Sequence, residues 1–150
     1  MKLAPINVNI GKKLPETLIY KAPKSDSFVL FTTTKKPKVV GRMKMFPFSV
    51  KCSKGMYISS IETYPKRKGY GTDLVSFAKV YSKQQGFNGN LSTDAGLTFS
   101  DMKNPSHLFF RKQGFVCDDS RLLKKMDSFI EQNKQLDPLE VKTTTMYYFG

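Results

Sequence analysis

The first third of the chain alternates short apolar runs with polar, proline-containing turns. Thr17-Leu-Ile-Tyr20, Phe28-Val-Leu-Phe31 and Val39 to Phe46 read as strands, separated by Pro, Lys, Ser and Asp turn chemistry, and Met56–Tyr64 is a fourth. The period then changes. Leu74, Phe77, Ala78 and Tyr81 fall at i, i+3, i+4 and i+7, one apolar stripe on a helix that Gly86 can end. Phe87–Thr93 fits a strand, so strand, helix and strand predict a parallel pair with a right-handed crossover. Asn104 is a good N-cap and Pro105 a good first residue for a second helix closed at Gly114, with Phe115-Val-Cys117 continuing as a strand. Leu122, Leu123, Met126, Phe129 and Ile130 mark a third amphipathic helix, and Val141–Phe149, rich in Thr and Tyr, reads as a closing strand.

Length and composition narrow this picture. At 150 residues, with 39% apolar residues and twelve phenylalanines, the chain is expected to be one globular domain with a real core. No stretch approaches the ~20 apolar residues of a membrane span, and Met1-Lys-Leu-Ala-Pro-Ile lacks the apolar core of a secretion signal, so a cytoplasmic protein is the expectation. Cys52 and Cys117 have no metal-ligand spacing and His107 is the single histidine, so no metal site is expected and both thiols read as reduced core residues. Charge is the stronger signal. Of the net +13, residues 1–75 carry fifteen Lys/Arg against four acids, and residues 76–150 carry ten against eight. Lys35, Lys36, Lys38, Arg42, Lys44, Lys51 and Lys54 follow one another with no acid between them. Such a field draws in polyanions, coenzyme A or nucleic acid alike, and reads equally as a solvated surface.

Candidate chemistry concentrates where the fourth strand ends. Ile58-Ser-Ser-Ile-Glu62-Thr-Tyr-Pro-Lys66-Arg-Lys-Gly69-Tyr-Gly71-Thr72 is a strand, a basic glycine-punctuated turn and a helix start. At a helix N-terminus the unpaired N–H groups and the positive end of the dipole favour an anion. Gly69 and Gly71 let the backbone approach closely, and Lys66, Arg67 and Lys68 add charge. Neither Gly-x-x-x-x-Gly-Lys-Ser/Thr nor Gly-x-Gly-x-x-Gly is present, so this is neither a nucleotide P-loop nor a dinucleotide fingerprint.

Lys66-x-x-Gly69-x-Gly71 resembles the (Gln/Arg)-x-x-Gly-x-(Gly/Ala) pyrophosphate loop of the GNAT acyltransferase superfamily. Ile61-Glu-Thr63 stands where that family has its Val-x-Pro strand end, and Pro105-x-His-Leu-Phe-Phe110-Arg-Lys-Gln-Gly114-Phe115 looks like its downstream Tyr-x-Lys-x-Gly-Phe helix motif. The resemblance covers about residues 56–118. It implies an α/β (α+β) fold, a central mixed twisted sheet flanked by helices, with acetyl-coenzyme A as cofactor and an amine as acceptor. Residues 119–150 would add an extra helix and the closing strand. Residues 1–55 depart from the family, which places two helices after its first strand, whereas this stretch reads as almost wholly extended. The resemblance further implies that Ile61 and Thr63 pair with the pantetheine arm and that N–H groups of Lys66, Lys68, Gly69, Gly71 and Thr72 hold the pyrophosphate. Arg67, Tyr70, Asn104 and Phe110 complete the implied cofactor set.

Direct transfer to an amine needs a proton acceptor for the ammonium and a donor for the departing thiolate. Phe110 stands where many family members have the donor tyrosine, and phenylalanine cannot donate. Tyr64, Tyr70, Tyr147 or Tyr148 could take the role, as could solvent, or catalysis is lost. Glu62 and Asp94 are the carboxylates near the site in sequence. His107 has a suitable intrinsic pKa but falls in the first turn of a helix, and Cys117 has no base predicted beside it. Two function classes therefore stand: an N-acetyltransferase, and a coenzyme A- or nucleic-acid-binding module with weak or no catalysis, its basic N-terminal half contacting nucleic acid without sequence preference.

Overall fold

A computed structural model describes residues 4–6, 17–51, 53–64, 69–96 and 104–150. Seven strands form one sheet in sequence order: β1 (Ala4–Ile6), β2 (Thr17–Lys21), β3 (Ser27–Thr32), β4 (Val39–Val50), β5 (Ser53–Thr63), β6 (Leu91–Ala95) and β7 (Thr144–Tyr148). Every neighbouring pair is antiparallel except β5 and β6, which are parallel. A parallel pair needs a crossover, and helix α1 (Tyr70–Gln84) supplies it. Helices α2 (His107–Lys112) and α3 (Ser120–Glu131) lie between β6 and β7 in the chain. This is the mixed sheet flanked by helices that the sequence predicts, with the described part of the N-terminal third extended. The longest helix has 15 residues, and among the described residues none is long and apolar enough to cross a membrane.

The apolar stripe of α1 does what its spacing implies. Leu74, Phe77 and Ala78 are fully buried, Val75 with them, and they join Phe28, Leu30, Met43, Met45, Met56, Ile58 and Leu91 in the core. Burial of this kind is worth about 1.5–3 kcal/mol for each large side chain. Helix and sheet meet most closely at Gly41 on β4, where a Cβ would lie 2.9 Å from Leu74 Cδ1. Tyr81 is only partly buried and packs edge-on against Phe28.

Several boundaries differ from the sequence expectation, each for a local reason. Strand β6 starts at Leu91, not Phe87, because Gly86, Asn88 and Gly89 have φ of 86°, 58° and 80°, a left-handed backbone no strand can hold. Helix α2 starts at His107, after Ser106, so Asn104 and Pro105 precede it instead of capping it. The Ser106 hydroxyl is engaged with Gly96, just past β6, donating to its carbonyl at 3.1 Å and accepting from its N–H at 3.0 Å. Phe115–Cys117 makes a single bridge, Val116 to Tyr147, and Val141–Thr143 precede β7 as coil. Met126 is the one fully buried residue of the α3 stripe; Leu122, Leu123, Phe129 and Ile130 pack partly buried around the core. Cys117 is buried as a free thiol, with burial raising its pKa, while Cys52 lies outside the described residues.

Candidate active site

Strands β5 and β6 run side by side for three residues and then part. Met56, Tyr57 and Ile58 pair with Leu91, Ser92 and Thr93, yet β5 continues to Thr63 and β6 to Ala95. Thr93 Oγ1 donates to the Ile58 carbonyl at 2.9 Å, closing the last point of contact. The divergence coincides with a β-bulge. On β4, Lys44 faces Ser60 and the next residue, Met45, faces Ile58, so Ser59 is an extra residue on β5. A bulge bends its strand and sharpens the local twist. Beyond it, β5 keeps its ladder with β4 through Ile61, Glu62 and Thr63, opposite Met43, Arg42 and Gly41, while its other edge faces the gap.

The N-terminus of α1 lies beside that gap. Gly69 is its N-cap, in the left-handed conformation at φ 85°, and no side chain caps the helix. The Asp73 N–H is taken by the Gly69 carbonyl at 3.1 Å, so the first-turn donors that have no partner within the helix belong to Tyr70, Gly71 and Thr72. A Cβ at Gly71 would meet the Phe109 ring at 3.1 Å and Thr63 Cγ2 at 3.8 Å, which places the helix entrance, the end of β5 and α2 together. Gln113 Nε2 donates to Thr72 Oγ1 at 3.1 Å and Lys79 Nζ to the Gln113 carbonyl at 2.6 Å, pinning the end of α2 to α1. A side chain at Gly71 would have to displace the Phe109 ring.

The pleat sorts the remaining candidates onto two faces. Ile61 and Thr63 share the face of Met43 and Gly41, the one α1 covers; both are half-buried. Glu62 lies on the other face with Arg42, and accepts a hydrogen bond from Tyr64 Oη. That bond holds the Tyr64 phenol above its ordinary pKa, because ionising the hydroxyl would break it. Asp94 also occupies the face away from α1, since its neighbours Thr93 and Ala95 are buried on the α1 side and it is exposed.

Of the remaining sequence candidates, Tyr70 is 8% exposed and belongs to the core, and Asn104 is half-buried ahead of α2. Phe110 is 2% exposed, its ring packed against Phe109 at 5.1 Å and Phe115 at 5.2 Å. The aromatic ring bordering the helix entrance is Phe109, which the motif pattern passes over. Lys66, Arg67 and Lys68 lie outside the described residues. His107 is fully buried, its Nε2 2.9 Å from the Lys142 carbonyl, and burial lowers its pKa. Tyr148 packs on Phe115 and beneath Lys79, and Tyr147 beneath Lys51. Besides Phe109, the sequence pattern does not single out Ser59 at the bulge, nor Tyr57 and Thr145, whose hydroxyls donate to the Asp94 carboxylate.

No protein-family model and no curated protein sequence matches the chain. Among solved structures it is similar to AtaTR bound with AcCoA, at 11% identity and a TM-score of 0.48 over 87% of this chain. It is also similar to the KacTA–DNA complex (13%, 0.42, over 71% of this chain and 72% of that one) and to a bacterial toxin (10%, 0.47, over 86% and 66%). The chain spans just under two thirds, 66%, of the length of the first of these. Likeness at this level is a partial overlap of sheet and helices; it assigns no residue and no activity.

Proposed function

We propose that this chain is an acetyl-coenzyme A-dependent N-acetyltransferase that moves an acetyl group directly to a primary amine. The observation that carries the reading is the gap between β5 and β6 with the uncapped, glycine-lined entrance of α1 beside it. An open strand edge offers N–H and C=O groups to an extended amide-bearing arm, as an added strand would. In this reading Ile61 and Thr63 hold the pantetheine arm. Gly69, Tyr70, Gly71 and Thr72 bind the pyrophosphate through N–H groups, with Lys66, Arg67 and Lys68 adding charge. The bound cofactor supplies an activated thioester. The amine reaches it from the face away from α1, where Glu62, Tyr64 and Asp94 stand. Glu62 accepts a proton from the ammonium, directly or through water, and the protonated Tyr64 hydroxyl on Glu62 is the donor for the departing sulfur.

Burial of Phe110 at the usual tyrosine position favours a second reading, a coenzyme A- or nucleic-acid-binding module without turnover. Release of free thiol from acetyl-coenzyme A across a panel of primary amines separates the two. Amine-dependent release is expected, falling about 10²-fold or more in Glu62→Gln and in Tyr64→Phe. Release no faster than buffer for the whole panel, with coenzyme A bound, contradicts the enzyme.

A further inference from the structure

Asp94 is the centre of a constellation that spans three strands. Its Oδ2 accepts from Tyr57 Oη of β5 at 2.6 Å, and its Oδ1 from Thr145 Oγ1 of β7 at 2.7 Å. A carboxylate has about four lone-pair sites, so these two donors fix its orientation and leave the outward sites open. Both donors are neutral. The chain carries 25 Lys and Arg, yet among the described residues no cation is bonded to Asp94, whereas Glu62 lies opposite Arg42, and Asp118, Asp127 and Glu140 are ion-paired with Lys51, Arg111 and Lys125. Retention of the proton by Tyr57 follows from the same bond, which pushes its phenol pKa up to about 12.

The position matters as much as the chemistry. Asp94 is one residue past Thr93, the last residue of β6 paired to β5, so the carboxylate stands at the mouth of the gap on the face opposite α1. The surface beside it is aromatic. Tyr57 lies 5.4 Å from Phe46 and 5.8 Å from Phe48, and Phe48 is 58% exposed. An exposed carboxylate next to ring faces attracts an ammonium by charge and by the ring quadrupole, and the rings cover an apolar substituent.

We infer that Asp94, oriented by Tyr57 and Thr145, is the docking site for the ammonium of the acceptor, and that the acceptor is a primary amine bearing an apolar or aromatic group that lies over Phe46 and Phe48. This rests on the proposed acetyltransferase reading for its place in a reaction, but not for the binding itself. Asp94 is the binding residue; Tyr57 and Thr145 are positioning residues.

Phenethylamine is the probe, with ethanolamine as the polar control. Titrated into the cofactor-free protein and followed by amide chemical shifts, phenethylamine should give saturable shifts along β6 and β7, and ethanolamine weaker ones. Asp94→Asn should raise the phenethylamine Kd about 10-fold or more. With acetyl-coenzyme A present, Tyr57→Phe and Thr145→Val should raise KM for phenethylamine about 5-fold with kcat little changed, and Thr145→Ser should restore it. No saturable shift in the wild type, or equal affinity in Asp94→Asn, overturns the inference. So does a loss of thermal stability in Tyr57→Phe and Thr145→Val with KM unmoved, the sign of a network that only holds strand register. Probe binding without any acetyl-coenzyme A binding leaves the ammonium site standing and removes the acetyltransferase.

Discussion

Gly71 stands where a side chain would have to push the Phe109 ring aside, since its Cβ would come within 3.1 Å of it. Gly71→Ala should therefore crowd the helix entrance mildly, and Phe109→Ala in the same chain should relieve the crowding, read as cofactor affinity in the single and double variants. His107 contributes to the pH dependence of stability. Its Nε2–H donates to the Lys142 carbonyl, and burial holds its pKa below the ordinary value. The unfolded chain takes up a proton near pH ~6.5 while the folded chain resists it. Stability from this group is thus complete above that pH and is lost as pH falls toward the lowered folded value. Urea midpoints at pH 7.5 and pH 5 should differ less in His107→Gln than in the wild type; an unchanged difference would show that other groups set the acid limb. At this scale the sequence was informative about backbone and less so about side chains. Gly69, Gly86 and Gly114 all have the positive φ their positions suggest. Which ring faces the helix entrance, Phe109 or Phe110, depends on how α2 lies against α1, and spacing within a six-residue helix does not determine that.

Among the elements, β5 carries the irregularity on which the proposed site depends. The extra residue Ser59 separates Tyr57, facing away from α1, from Ile61 and Thr63, facing it. Removing Ser59 would make the ladder with β4 continuous, with Ile58, Ser60 and Ile61 still opposite Met45, Lys44 and Met43, and would take away the local bend and extra twist of the bulge. Deletion of Ser59 should leave a folded protein by circular dichroism and abolish coenzyme A binding; retained affinity would show that the bulge is not what opens the gap. Packing of α1 is the complementary test. Leu74 is fully buried against Gly41, and Leu74→Ala should cost about 2–5 kcal/mol in denaturant unfolding. Periodicity made the strands β2 to β4, the α1 stripe and the β5-α1-β6 crossover legible, because each buries one face. The bulge was not legible, because Ile58-Ser-Ser-Ile61 carries no glycine or proline to mark it. The start of β6 was misplaced for the opposite reason: Phe87 looks like a strand residue, but the left-handed turn at Asn88 and Gly89 decides the backbone there.

On the scale of the whole molecule, the sheet has two chemical sides at one gap. The N-terminus of α1, where we propose that the pyrophosphate binds, lies on the α1 side, and carboxylate–hydroxyl pairs stand on the other. The chain as a whole carries a net charge of +13. Any nucleic-acid affinity should be independent of sequence and fall steeply with salt, since charge and not base contact would drive it. A filter-binding slope near zero, or no binding at low salt, removes nucleic acid as a partner. The most direct test of the central claim is calorimetric titration of acetyl-coenzyme A into the wild type and into Gly71→Asp, which displaces the Phe109 ring and adds a negative charge beside the proposed pyrophosphate site. The wild type should bind saturably, and Gly71→Asp at least about 10-fold more weakly, a loss of about 1.4 kcal/mol or more. A wild type that shows no binding at millimolar cofactor, or a Gly71→Asp variant that binds equally well, would contradict the account.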